Sequence, residues 1–163
     1  MGMLKRCMVF AFCIILCIMS LNGCKGKNEV SSAFDITDEV IGYCDKEIDW
    51  TRLNRKDIPV HFGFSADKVT DLSVFVNDAD EYYDTVATFT FSSADDISGV
   101  IEALNKSMSS AADTFKNINE LEAQKISKRL VLKQENTLVI VVSSNYEKIG
   151  EMLNDKGFIS VAK

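Results

Sequence analysis

The clearest structural signal in the chain is RLVLKQENTLVIVV, residues 129–142. Two runs of mainly aliphatic residues, 129–133 and 138–142, flank the polar residues 134–136. Two strand-like runs separated by a short polar turn are typical of a β-hairpin. The second run is apolar at every position, which predicts a strand that is covered on both faces and lies inside its sheet.

A second hairpin is predicted upstream, from residues 72–76 and 85–91, with the polar residues 77–81 as its turn. The second of these runs, TVATFTF, is rich in β-branched and aromatic residues, which favour strands. Side chains alternate along a strand, so we expect Ala87, Phe89 and Phe91 to share one face.

Each hairpin is followed by a predicted helix. Ser93 is the N-cap of the first helix, whose apolar residues recur every three or four positions and form one stripe. The stripe consists of Ile97, Ile101, Leu104, Met108, Ala111 and Phe115. Ser144 and Glu147 form a capping box for the second helix, and Gly157 suits its C-terminus. Residues 119–127 are either a short helix or a loop.

The order strand, strand, helix, strand, strand, helix predicts an α+β fold. We expect a two-layer sandwich in which helices pack on a four-stranded, mainly antiparallel sheet. A further helix is predicted before these units, because Ile36, Val40, Ile41 and Cys44 fall at helical spacing, with Thr37 as its cap.

The N-terminus has the pattern of an export signal. Lys5 and Arg6 precede an apolar stretch, residues 7–19, which suits a signal peptide and is short for a membrane span of about 20 residues. The sequence Leu21-Asn22-Gly23-Cys24 then resembles the lipobox of bacterial lipoproteins. This resemblance implies that Cys24 receives a diacylglycerol, with acyl chains such as palmitate, and becomes the mature N-terminus.

The expected organisation is therefore a signal peptide at 1–23, a flexible tether at 24–32 and a single α+β domain at 33–163. The protein would be lipid-anchored on the extracytoplasmic face of the cell membrane. Lys25 and Lys27 either rest against anionic head groups or belong to a plain soluble linker.

Charge and cysteine content narrow the possible partners. Of the 18 basic residues, two leave with the signal, so 16 remain against 24 acidic residues, a net charge of −8. An acidic domain does not attract polyanions, so we expect no nucleic-acid partner. Cys44 is the one cysteine left in the mature domain, and its position on an apolar helix stripe predicts a buried free thiol.

From about residue 58 to 153 the chain resembles a family of small lipoproteins from Gram-positive bacteria that carry a C-terminal domain of unknown function. The resemblance rests on the lipobox, the two hairpins and the long helix that begins at Ser93. The matching strand segments are residues 66–69, 84–89, 128–132 and 139–143. It implies an extracytoplasmic, membrane-tethered domain, with no known activity and no known site residues.

The residues suggest no familiar catalytic centre, and we predict no catalytic residue, no cofactor and no metal ligand. His61 is a lone histidine in an apolar run, which favours a structural role. Asp78, Asp80, Glu81 and Asp84 could bind Ca²⁺, but they lack the glycine and glutamate spacing of an EF-hand, so a polar turn is favoured.

Tyr82 and Tyr83 are the candidate partner-binding residues. Because neighbouring strand side chains point to opposite sides, one of the two must face away from the core. An exposed tyrosine beside carboxylates could contact a cationic peptide or a sugar, although a simple edge residue is the alternative. We therefore expect a non-catalytic binding or assembly module for an unknown protein or cell-envelope ligand. The alternative is a hydrolase with an unrecognised carboxylate site.

Overall fold

The computed structural model of the chain describes residues 31–161. Within this range the strands are β1 Trp50–Arg52, β2 Val69–Asn77, β3 Thr85–Phe91, β4 Leu130–Gln134, β5 Thr137–Val142 and β6 Ile159–Ser160. They form one antiparallel sheet in the order β1-β2-β3-β5-β4-β6. Both predicted hairpins are present, and β5 is buried along its whole length between β3 and β4, as its apolar sequence predicts.

The helices of the described range are α1 Ala33–Ile41, α2 Ile58–Phe62, α3 Ala94–Phe115, α4 Glu120–Ser127 and α5 Tyr146–Asp155. A 3-10 turn, Arg55–Asp57, leads into α2. The segment that the sequence left as a helix or a loop is the helix α4. Its first turn is stabilised by Asn119, whose side-chain oxygen accepts a hydrogen bond from the Leu121 N–H at 3.2 Å.

The α+β class is confirmed, but the predicted four-stranded, two-layer arrangement is wrong in both details. The sheet has six strands among residues 31–161, because short strands are added at each edge. Helices cover both faces: α2, α3 and α4 pack on the side of Ala87 and Ile140, whereas α1 and α5 pack on the side of Val86 and Val141. Edge strands of three and two residues are too short to show a period of two, and helix periodicity does not reveal which face a helix covers.

The larger core lies under α3, whose predicted apolar stripe is confirmed. Ile97, Leu104 and Met108 are fully or almost fully buried against the sheet. Phe89 of β3 meets Phe62 edge to face, with 5.4 Å between ring centres. Aromatic pairs in this geometry contribute roughly 0.5–1.5 kcal/mol beyond their buried area.

The predicted cap of α1 is wrong. Ser32 caps the helix, because its backbone N–H and its hydroxyl bond the Asp35 carboxylate and its oxygen accepts from the Asp35 N–H. Thr37 lies inside the helix and is buried. Its hydroxyl lies 2.8 Å from the Ala33 carbonyl oxygen and 2.8 Å from the Thr88 hydroxyl, which joins α1 to β3.

The predicted capping box of α5 is also wrong, whereas its predicted end is confirmed. Asn145 is the N-cap residue, and the Ser144 hydroxyl instead donates to an oxygen of Asp45 at 2.7 Å. At the C-terminus, Gly157 adopts a φ of +91°, where a side chain would be strained. The Phe158 N–H then reaches back to the Leu153 carbonyl at 3.0 Å, which closes the helix in a Schellman motif.

The sheet has two distinct ends. We call one the entry end, because the first helix of the described range begins there: the Ala33 N–H donates to Asp71 at 2.8 Å, beside the paired residues Thr90 and Thr137. We call the other the far end, where the last residues of β2 and β5 meet the start of β3 through the pairing of Thr85 with Val142.

Candidate binding cleft

A cleft of about 860 Å³ opens at the far end of the sheet. It is lined by parts of four chain segments: the loop 45–49 between α1 and β1, the β2–β3 turn 77–84, helix α4, and residues 143–146 after β5. These segments converge because β1, β2, β3 and β5 all start or finish at this end. The volume lies in the range of about 300–1,000 Å³ that is typical of ligand pockets.

Three charged side chains form the floor of the cleft, and we call them the ion triad: Asp84, Glu122 and Lys125. The Lys125 Nζ lies 2.8 Å from Asp84 Oδ1 and 2.7 Å from Glu122 Oε2. The exposed fractions of the Lys125, Asp84 and Glu122 side chains are 13%, 6% and 9%. Because two carboxylates share one ammonium, the triad carries one negative charge in excess.

Both carboxylates of the ion triad also bind the β2–β3 turn. The Asn77 side-chain amide donates to Asp84 Oδ2 at 3.1 Å, and the Tyr83 backbone N–H donates to Glu122 Oε2 at 2.9 Å. Asp84 comes from the turn, whereas Glu122 and Lys125 lie three residues apart on α4. The triad therefore fixes the position of α4 relative to the hairpin.

The rim of the cleft is held by hydrogen bonds that join segments distant in sequence. Besides the Ser144 contact to Asp45, the Asn145 amide donates to the Tyr43 carbonyl at 3.0 Å. The Asp78 N–H donates to the Asp49 carbonyl at 3.0 Å. These contacts hold the loop 45–49 against the rest of the cleft.

Acidic residues outnumber basic residues in the lining, by five to three. The acidic residues are Asp45, Glu47, Asp49, Asp84 and Glu122, and the basic residues are Lys46, Lys125 and Lys128. The Lys128 ammonium lies 5.5 Å from the centre of the Tyr146 ring, a cation–π contact at the cleft wall. The residues that line the cleft therefore carry a formal net charge of −2.

The two candidate tyrosines lie in different environments. Tyr82 is 50% exposed and lines the cleft together with Leu121, which is 75% exposed. Tyr83 points the other way: its ring packs edge to face on Phe115 at 5.4 Å, and its hydroxyl lies 3.9 Å from the Met108 sulfur. Burial raises the pKa of Tyr83. Tyr82 alone of the pair is placed to contact a ligand in the cleft.

The acidic turn divides in the same way. Asp78, Asp80 and Glu81 are exposed, and Asn77 Oδ1 accepts a hydrogen bond from the Ala79 N–H at 3.1 Å, which is a local polar turn. Asp84 differs, because it is buried in the ion triad. Within residues 31–161, no three His, Cys, Asp or Glu side chains are grouped so that they could hold a metal ion.

Cys44 is a buried free thiol, as predicted, but it lies three residues beyond the end of α1 and not on the helix stripe from which its burial was predicted. Its sulfur lies 3.5 Å from the Val40 carbonyl oxygen. Burial raises the pKa of Cys44 to about 11, although a hydrogen bond with Ser143 acts in the opposite direction. His61, the other residue noted in the sequence, lies on α2 outside the cleft, with its ring centre 6.4 Å from that of Phe62.

Sequence reasoning missed the contribution of α4 to this site. Leu121, Glu122 and Lys125 lie in the segment that could not be assigned as helix or loop. The one available signal was the spacing of Glu122 and Lys125, since oppositely charged residues three apart are neighbours on a helix. That spacing does not reveal the contact with Asp84, which is 41 residues away.

The predicted lipidation residue, Cys24, and the predicted signal peptide lie outside the described residues. Among residues 31–161, no helix has the length and apolar character needed to cross a bilayer. No family model, no curated protein and no solved structure matches the chain.

Proposed function

We propose that this protein is a lipoprotein anchored through a diacylglycerol on Cys24 to the extracytoplasmic face of the cell membrane. Its domain would be a non-catalytic binding module and a member of the family of small Gram-positive lipoproteins that its sequence resembles. The lipobox and the preceding signal pattern support the anchoring, and the cleft at the far end supports the binding role.

The proposed binding role is supported by one observation: the cleft presents exposed apolar groups beside charged groups that already hold parts of the fold together. Tyr82 and Leu121 have no packing role that explains their position, whereas Asp84, Glu122 and Lys125 hold the hairpin and α4 together. An exposed aromatic and an exposed aliphatic side chain in one concave site are suited to burial by a partner.

The hydrolase alternative has one observation in its favour, because Asp84 and Glu122 lie close together in the cleft. However, Lys125 binds an oxygen of each carboxylate, at the place where an attacking water or a leaving group would have to lie. The carboxylates are therefore arranged to support the fold.

The anchoring is tested by growing cells that express the full chain with radiolabelled palmitate. We expect label and membrane partition for the wild type and for the matched control Cys44→Ala, but neither for Cys24→Ala. Label on Cys24→Ala would refute the assignment of the lipid site.

The binding role is tested by photo-crosslinking of the full chain in the membranes of cells that express it. We expect a crosslinker at Leu121 to capture a discrete partner that a crosslinker at Val60, an exposed residue outside the cleft, does not capture. Tyr82→Ala should reduce this capture. Tyr43→Ala is the matched control, because Tyr43 is 43% exposed and does not line the cleft.

The hydrolase alternative is tested on purified cell-wall polymer. We expect no turnover by the wild type. Turnover that is lost in Glu122→Gln and retained in Glu120→Gln, an exposed residue of the same helix outside the cleft, would establish the enzyme instead.

A further inference from the structure

We propose that the ligand of the cleft is a cationic peptide segment, in which a basic side chain reaches the ion triad and a neighbouring apolar side chain rests on Tyr82 and Leu121. This inference rests on the proposed binding function of the same cleft and specifies the chemical class of its ligand.

The first argument is the excess charge of the ion triad. The Asp84 and Glu122 side chains are more than nine-tenths buried and share the single ammonium of Lys125. One negative charge is therefore held where water screens it poorly, and the hydrogen bonds from Asn77 and the Tyr83 N–H offset this cost without neutralising the charge. A lysine or arginine side chain that enters the cleft would supply a second cation.

The second argument is the composition of the rim. The loop 45–49 adds Glu47 and Asp49, both exposed, and within residues 31–161 neither of them forms a salt bridge. Tyr82 and Leu121 provide exposed apolar surface in the same cleft. A peptide that alternates basic and apolar side chains matches both features, whereas an anionic ligand would face five acidic residues against three basic ones.

The test uses the full chain in non-ionic detergent micelles and fluorescence anisotropy with three labelled probes. The probes are a hexapeptide of alternating Arg and Val, its counterpart with Glu in place of Arg, and a tetrasaccharide of N-acetylglucosamine. Empty micelles provide the blank. We expect the basic peptide to bind most tightly, with an affinity that falls as salt rises.

Two double variants with the same change in charge separate the cleft from the general surface. Glu47→Lys with Asp49→Lys should weaken binding of the basic peptide on the order of tenfold or more, since the positive rim would repel it. Glu151→Lys with Asp155→Lys, on exposed positions of α5 outside the cleft, should change it by less than about twofold. Equal effects of the two double variants would overturn the proposal.

The remaining outcomes separate an error in the proposed ligand class from an error in the proposed site. If the acidic peptide or the sugar binds better, and Leu121→Ala abolishes that binding, the cleft is the site but the cationic class is wrong. If no probe binds, or if Leu121→Ala leaves all binding unchanged, both the cationic class and the cleft as the binding site are overturned.

Discussion

The two ends of the sheet are closed in different ways. At the entry end, the ion pair has one exposed partner: Lys68 pairs with Asp96 at 2.6 Å, and the Lys68 side chain is 70% exposed, whereas that of Asp96 is 13% exposed. At the far end, Lys125 pairs with two buried carboxylates. The ion pair of the entry end therefore keeps contact with water through Lys68, whereas the charged groups of the far end are largely removed from water.

This difference indicates where in the fold charged groups are buried at an energetic cost. Desolvating charged groups is expensive, and their mutual attraction offsets the expense only when every partner is present. An exposed ion pair contributes little to stability in either direction. The far end is thus the part of the domain where single substitutions should have large and separable effects.

The largest expected effect is on the ion triad. Lys125→Met would leave two buried carboxylates facing each other, and we expect a loss of about 3–5 kcal/mol in the free energy of unfolding. The measurement is urea denaturation of the full chain. Lys68→Met is the control at the entry end and should leave the denaturation midpoint almost unchanged. Equal shifts in the two variants would remove the distinction between the ends.

The second prediction concerns Cys44, which lies near the far end. A pKa of about 11 leaves little thiolate at pH 8, so we expect alkylation about 100-fold slower than in the unfolded chain. The rate is measured by mapping labelled peptides after treatment with iodoacetamide. Ser92→Cys, an exposed position at the entry end, should react at close to the unfolded rate. Rapid labelling of native Cys44 would contradict its burial.

The third prediction compares two asparagines that bind carbonyl groups at opposite ends. Asn136 donates to the Phe91 carbonyl at 2.6 Å at the entry end, and Asn145 donates to the Tyr43 carbonyl at 3.0 Å at the far end. Each change to Ala should cost about 1 kcal/mol in the free energy of unfolding. Only Asn145→Ala should also weaken binding of the Arg-Val peptide, because it releases the loop 45–49. Weakened binding in Asn136→Ala would argue against this separation.

The smallest effect is expected from the pH dependence of the entry end. The hydrogen bond with Lys68 lowers the pKa of Asp96 below its usual value. The stabilisation from this carboxylate is therefore present above its unfolded-state pKa and is lost as the pH falls through the native pKa. An NMR titration should show the Asp96 pKa rising in Lys68→Met, with only a slight change in stability. An unchanged Asp96 pKa would refute the role of Lys68.

The sequence predicted the entry end better than the far end, for a physical reason. Ser93 caps α3 and its backbone N–H bonds Asp96, a contact between residues three apart that the sequence pattern displays directly. Gly157 and the strands of both hairpins are local features of the same kind. By contrast, Ser144 was assigned to a local capping box and instead binds Asp45, which is 99 residues away.

The candidate site was predicted only in part, for the same reason. The tyrosine pair and the acidic turn lie on the hairpin that lines the cleft, but both tyrosines precede β3, so the strand alternation that was expected to turn one of them outward does not apply to them. The role of Asp84 could not be predicted, because nothing in the local sequence distinguishes it from its exposed neighbours Asp78 and Asp80. Its partner Lys125 lies on α4 and contacts it only in the folded domain. The side of the sheet that each helix covers likewise depends on the tertiary fold, so no local sequence pattern predicts it.

The edges of the sheet influence whether copies of this domain associate with one another. An edge strand with unpaired backbone groups is a template for aggregation through strand pairing between molecules. Here β1 and β6 have three and two residues. Near the start of β2, beyond the end of β1, the Arg55 guanidinium donates to the carbonyls of Ala66 and Val69, both at 2.6 Å. The short edge strands and the Arg55 contacts leave less backbone for strand pairing with a neighbouring molecule, which favours the monomer.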